Sequence, residues 1–313
     1  MATTHSRLLI TGASGFIGRH VLAELSSSDW ELHAVRRTSE PSEPSEPSEP
    51  SEPLEPLEPR TTLWHPCDLR DPQAAEDLIA QVRPTHVLSL AWNADHGAYW
   101  TAPDNEQWAD GTIALARATA KHGGRRFVGA GTCAEYDWRA LSGPCEEDRT
   151  PTRPQSIYGR AKLRAGQEVA AIGRELGLST AWGRLFFLYG PGEDPRRLVP
   201  SVARALKAGD RPKVTEGTQV RDLLHVADVA RAFVKLLTSD LTGPVNIGSG
   251  VGVSLRHVVE TLERAAGRRD AVDFGAIPMR PDEPPAIVAD VTRLRSIGWQ
   301  QTVTLEDGLF STL

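Results

Sequence analysis

Short apolar runs alternate with amphipathic stretches through roughly the first two thirds of the chain. Arg7–Thr11 (RLLIT) is a brief apolar run ending in TGASGFIG, and the HVLAELSSS that follows has helical spacing. The order is strand, glycine turn, helix. Further runs at Glu31–Arg36, Thr62–Asp68, Thr85–Ala91, the segment led by Arg126–Gly129, and Ser179–Phe187 predict five more strands. Helical patterns lie at 73–83, 105–122 and 156–176. Strands alternating with helices predict an α/β fold whose doubly wound parallel sheet is covered on both faces. After Gly190 the segments shorten and Pro, Gly and charge become more frequent, with helical spacing at 197–208, 226–238 and 254–267. The pattern therefore divides the chain into a larger domain, 1–190, and a smaller α/β domain, 191–313, with some segments of the second returning to the first.

One stretch breaks the alternation. Residues 40–59 read EPSEPSEPSEPSEPLEPLEP, with seven Glu, seven Pro and no Lys or Arg. A proline every third residue can neither pair in a sheet nor continue a helix, and regularly spaced carboxylates favour an extended, solvated chain. The tract is expected to be a disordered loop between the second and third strands. It also accounts for the charge. The chain carries 35 Lys+Arg and 41 Asp+Glu, a net of −6, and without the seven Glu of the tract 34 acids face 35 bases. The remainder has no basic field to attract nucleic acid. Cys67, Cys133 and Cys145 are odd in number and show no CxxC spacing. That argues against a disulfide framework and a structural metal site, and fits a reducing compartment. The apolar run before the first glycine is too short for a signal core or a membrane span, so a cytoplasmic protein with no membrane partner is expected.

The chemistry begins at Gly12-x-x-Gly15-x-x-Gly18, placed between the first strand and the first helix. Glycines there let the backbone approach a pyrophosphate, whose charge the helix N-terminus stabilises. The second strand ends in Arg36-Arg37 with no acid before Glu40. Two guanidiniums suit a ribose 2′-phosphate, whereas an acid there would favour the free hydroxyls, so NADP is expected, with NAD the alternative. Tyr158 and Lys162 are spaced i, i+4 and share a helix face, which would let Lys162 favour the Tyr158 phenolate. Asp68 follows the third strand, where an alternative role is to cap the helix from Pro72.

TGxxGxxG, then GTCAEY after the fifth strand, then YGRAK, resemble in order the motifs of the extended short-chain dehydrogenase/reductase family, in its nucleotide-sugar-modifying branch. The resemblance runs over nearly the whole chain. It implies a dinucleotide-binding Rossmann domain at 1–190 and a substrate-binding domain at 191–313. It assigns Thr132, Tyr158 and Lys162 to catalysis. Gly12, Gly15, Phe16, Ile17, Gly18, Asp68, Leu69, Ala91 and Leu185, with Arg36, Arg37, Tyr158 and Lys162, would hold the cofactor. Family dehydratases carry acids in the two positions after the Ser/Thr, or in the second of them. Here these are Cys133 and Ala134, and Glu135 should point to the other side of an extended backbone, so a dehydratase is disfavoured. GRLFFLYGP at Gly183–Pro191 resembles RxFNxYGP, with Phe187 in the place of the substrate-contacting Asn. QVRDLLHVADV resembles QxRDFxHVxDV, which makes Arg221 a diphosphate ligand, and Arg280 resembles a second substrate arginine. Trp92 stands where the family has a small residue, with Trp100 and Trp108 close in sequence and His96 a further candidate polar contact; burial in the core is the default for such tryptophans.

These readings converge on an oxidoreductase-type enzyme: an NADP-dependent reductase of a keto group on a nucleotide-linked deoxysugar. The alternatives are a nucleotide-sugar 4-epimerase with tightly held NAD and a catalytically silent cofactor-binding sensor or scaffold. The resemblance also implies a homodimer formed through the helices near 105–122 and 156–176.

Overall fold

The computed structural model describes residues 6–37 and 62–313, so the repeat at 40–59 lies outside the described residues. Seven parallel strands form the main sheet: β1 (Arg7–Thr11), β2 (Glu31–Arg36), β3 (Leu63–Pro66), β4 (His86–Ser89), β5 (Arg126–Thr132), β6 (Ser179–Leu185) and β9 (Gly243–Ile247). Their order is β3-β2-β1-β4-β5-β6-β9. This is the Rossmann-type arrangement. The strand order reverses between β1 and β4, and in such sheets the crevice outside the carboxyl ends at that reversal receives ligands.

Alternation along β1 sets the layers. Leu8 and Ile10 face one side and pack with α1 (Phe16–Glu24) and α6 (Val226–Leu237). Leu9 faces the other and packs with α2 (Pro72–Val82), α3 (Asn105–Lys121) and α4 (Ile157–Leu176). Both faces are therefore dry, which is why the strands read as continuous apolar runs. A second, four-stranded sheet is built around β8 (Val220–His225), flanked by β7 (Phe187–Tyr189), β10 (Gly252–Ser254) and β11 (Ala286–Ile287). It packs with α5 (Leu198–Lys207), α7 (Leu255–Ala265) and α9 (Leu305–Phe310) around Tyr189, Val202, Leu223 and Leu262. The short α8 (Thr292–Ser296) places Leu294 in the core of the first sheet. No helix among the described residues is long and apolar enough to cross a membrane.

Several elements end where a side chain competes for the backbone. The run expected at Thr85–Ala91 stops as a strand at Ser89, because the Thr11 hydroxyl accepts from the Leu90 and Ala91 N–H groups at 3.1 and 3.2 Å. The run expected at Ser179–Phe187 is two strands. β6 ends at Leu185, and Phe187–Tyr189 pairs with β8 in the second sheet instead. Asp71, not Asp68, caps α2: its carboxylate accepts from the Gln73 N–H at 2.9 Å, with Pro72 in the first turn. Ser156 caps α4, accepting from Gly159 N–H at 3.0 Å, and Gly177 ends it at φ +73°. Ser156 and Gly177 thus fix both ends of the helix that carries Tyr158 and Lys162.

Candidate active site

A cleft of about 860 Å³ opens at the carboxyl ends of β1, β4, β5 and β6 and extends over β7 and β8. Its floor is the glycine turn. Gly12 has φ +67°, and a Cβ on it would lie 2.8 Å from the Ala91 nitrogen. A Cβ on Gly18 would lie 2.2 Å from the Gly12 carbonyl oxygen. Side chains are thus excluded where α1 rests on the turn, and the N-terminus of α1 opens on the cleft beside Gly15, Phe16 and Ile17. This cradle fits a dinucleotide pyrophosphate. Arg36 and Arg37, with Cys67 and Leu69, line one end, and Ala91 and Leu185 line the floor beyond. Asp68 is not among the lining residues. Arg70 donates to it from Nε at 3.0 Å and from a terminal nitrogen at 2.6 Å, and these bonds hold its carboxyl down at about 2.

Thr132 ends β5 and caps a short 3₁₀ turn, Cys133–Glu135, its hydroxyl accepting from Ala134 N–H at 3.2 Å. The Tyr158 and Thr132 side chains line the cleft side by side. The Tyr158 ring is boxed edge-on by Tyr99 at 4.9 Å, Trp100 at 5.7 Å and Trp92 at 6.4 Å. Burial pushes this phenol well above its ordinary value, the nearby Tyr99 adds to the rise, and the neighbouring Thr132 opposes it. Lys162 Nζ donates to the Ala130 carbonyl at 2.7 Å and lies 3.8 Å from the centre of the Trp92 ring. Burial brings its pKa down to about 7, against the attraction of the Glu135 carboxylate.

Lys162 shares the helix face of Tyr158 as its spacing requires, but its Nζ is turned to Ala130 and Trp92 rather than to the Tyr158 hydroxyl. One expectation is corrected here. Glu135 does leave the cleft, but through a helical turn rather than an extended strand. Its Oε1 accepts from Thr132 N–H and Trp182 Nε1, both at 2.9 Å, and its Oε2 accepts from Arg184 Nε at 2.7 Å. Cys133 lines the cleft in the position where an acid would serve elimination.

The second sheet supplies the far wall. Phe187 on β7 and Arg221 on β8 both line the cleft, the guanidinium lying 5.4 Å from the phenyl centre. Arg221 donates to the Val220 and Pro284 carbonyls at 2.8 and 2.9 Å and pairs with Glu283. Arg280 is exposed and does not line the cleft; the Arg280 carbonyl accepts from Glu283 N–H at 3.1 Å, and it is Glu283 that reaches inward. Trp92, Trp100 and Trp138 line the cleft, as does His96, whereas Trp108 touches the cleft but is buried in the core with α2 and α3. Sequence reasoning missed Tyr99, Glu193, Arg197 and Glu283. Only Glu283 carried a signal, as the acid three residues past Arg280. Across the mouth, Arg196 bonds Asp194 at 2.6 Å and Asp95 at 2.7 Å, which ties the loop after β7 to the loop after β4.

The family model described as NAD dependent epimerase/dehydratase family matches residues 8–248. A UDP-glucose 4-epimerase of Bacillus subtilis is 27% identical over 96% of this chain and 94% of its own length. Among solved structures, a UDP-glucose 4-epimerase from Thermotoga maritima, determined with UDP-glucose, is 25% identical. It superposes with a TM-score of 0.84 over 98% of this chain and 97% of that one. A UDP-glucose 4-epimerase from Thermus thermophilus, in complex with NAD, is 26% identical with a TM-score of 0.82, over 98% and 97% of the two chains.

Proposed function

The chain belongs to the NAD dependent epimerase/dehydratase family, and on that premise we propose that it is a nucleotide-sugar 4-epimerase that keeps its nicotinamide dinucleotide bound. The observation that carries this reading is the gathering of Thr132 at the end of β5, Tyr158 and, one turn on, Lys162 in the same cleft as Arg221. Gly12, Gly15 and Gly18 would hold the pyrophosphate, and Arg36 and Arg37 the adenosine end. When bound, the nicotinamide supplies a hydride acceptor that becomes a hydride donor. The protein supplies the proton path. As the phenolate, Tyr158 Oη would take the proton of the sugar hydroxyl as its carbon is oxidised and return it on reduction, with the Thr132 hydroxyl beside the same oxygen. Burial opposes that phenolate and brings Lys162 down to about 7, so near neutral pH Lys162 is partly protonated one turn from Tyr158, where its charge would favour the phenolate. Arg221 is the diphosphate ligand; binding exchanges its Glu283 partner for phosphate oxygens. Cys133 and Ala134 offer no acid for elimination, which separates this reading from a dehydratase.

The test is interconversion of UDP-glucose and UDP-galactose, without added cofactor and with no net change in absorbance at the reduced-nicotinamide band. A second reading, the NADPH-dependent keto-sugar reductase, is favoured by one observation: Arg36 and Arg37 both line the cleft where a 2′-phosphate would lie. Stoichiometric NADPH consumption with a 4-keto nucleotide-sugar, and no interconversion, would establish it instead.

A further inference from the structure

Glu193 lies in the loop between β7 and α5 and lines the cleft. One of its carboxyl oxygens, Oε2, is buried and has no hydrogen-bond partner among the described residues. A buried polar atom left unpaired costs free energy, so such an atom facing a cleft marks a place where a ligand completes the bonding.

Its surroundings say which part of the cleft this is. Arg197, four residues on, lines the same cleft with its charge acting on both Glu193 and Tyr99, and the Tyr99 ring meets Tyr158 edge-on at 4.9 Å. A continuous wall therefore runs from the reacting hydroxyl of Tyr158 through Tyr99 and Arg197 to Glu193. The Arg196 bridge to Asp95 holds the loops that carry this wall against each other. We propose that Glu193 is a specificity-determining residue of this site, holding a ring hydroxyl of the sugar next to the carbon that reacts. The inference rests on the nucleotide-sugar reading above. Burial raises the Glu193 carboxyl to about 8, against the Arg197 charge and the Gly190 backbone, so near neutral pH it is mostly an uncharged acid. An uncharged acid donates one hydrogen bond and accepts another, and a sugar hydroxyl is the group that answers both.

The test is a thermodynamic cycle read by calorimetric binding and by kcat/KM. It sets wild type and Glu193→Ala against UDP-glucose and its 2-, 3- and 6-monodeoxy analogues. The alanine variant is expected to bind UDP-glucose roughly 10–100-fold more weakly. The 3-deoxy analogue should lose a similar factor with wild type and be indifferent to the substitution; the same pattern with the 2- or 6-deoxy analogue instead overturns the assignment. Glu193→Gln, which keeps a donor and an acceptor, should recover to within about threefold of wild type. If the alanine variant does not melt cooperatively, Glu193→Met carries the same cycle. Equal losses for every analogue, or no loss, with wild type binding normally, overturn the Glu193 assignment alone. A selective loss of NAD affinity, measured by fluorescence, also overturns it, because the carboxyl then faces the cofactor. Wild type that binds no nucleotide-sugar overturns the epimerase reading and this inference together, before any variant is made.

Discussion

Tyr158 and Lys162 sit one helical turn apart, and burial pushes each toward its neutral form. On the proposed reading, Tyr158→Phe would remove the atom that exchanges the proton but almost no surface. Turnover is expected to fall by ~10²–10⁴-fold, with nucleotide-sugar affinity unchanged by calorimetry. Lys162 makes a prediction about stability. Below about pH 7 the folded and unfolded chains both hold the lysine proton, and the cost of burying it is full. As pH rises through the folded value of about 7, the folded chain releases the proton and the unfolded chain keeps it until the ordinary lysine range. The unfolded state then binds more protons, so this group adds stability as pH rises. The stability of wild type relative to Lys162→Met should therefore increase between about pH 6 and pH 9 in urea titrations of the ligand-free protein. A flat difference would show that Lys162 titrates as an ordinary surface lysine. At the other end of the cleft, Arg36→Ser with Arg37→Ser separates the cofactor readings. Loss of paired bonds to a 2′-phosphate would cost NADPH binding roughly 2–4 kcal/mol more than NADH binding. Equal effects on the two would leave NAD as the cofactor.

At the scale of elements, the junction of β5 and β6 depends on one buried pair. Glu135 is fully buried, and it ties the Thr132 backbone, the Trp182 indole and the Arg184 guanidinium together behind the catalytic turn. Arg184→Met leaves that carboxylate uncompensated and should cost about 3–5 kcal/mol in chemical denaturation, a loss typical of breaking a buried pair. This junction also shows what was legible in the sequence. Thr132, Tyr158 and Lys162 could be read because their spacing and chain order are one-dimensional. So could the layers, because β1, β5 and β6 are apolar runs separated by helical periods. The partners of Glu135 could not be read: Trp182 and Arg184 lie about fifty residues away and meet it only once β5 and β6 pair. The strands of the smaller α/β domain were not placed for a similar reason. β10 and β11 have three and two residues, too few to show a period, and they form on β8 only through tertiary pairing. Arg280 was a local reading that the fold overruled, since the loop turns Glu283 inward instead.

For the whole molecule, we propose that two copies associate through α3 and α4, which pack side by side and are cross-linked by Arg164 to Glu106 and Asp110 at 2.9 and 2.8 Å. Light scattering at micromolar concentration should give twice the chain mass of 34.1 kDa, and a monomeric mass would count against it. The Arg196 bridge acts on time rather than on stability. Arg196 and Asp95 are more than half exposed, and ion pairs in such settings contribute little to folding and weaken with salt. On the epimerase reading proposed above, however, the reaction would pass through an oxidised sugar that is not covalently held. Each turnover is a contest between returning the hydride and losing the ketose to solvent, and each escape leaves the enzyme with a reduced, idle cofactor. A weak latch across the mouth shifts that contest by slowing departure, and it need only outlast one hydride return. Arg196→Ser, or high salt acting on the wild type, should therefore leave the first turnovers intact and shorten the run. Activity would decay during catalysis while reduced nicotinamide accumulates on the protein, so the number of cycles completed before stalling, rather than the initial rate, would report the latch.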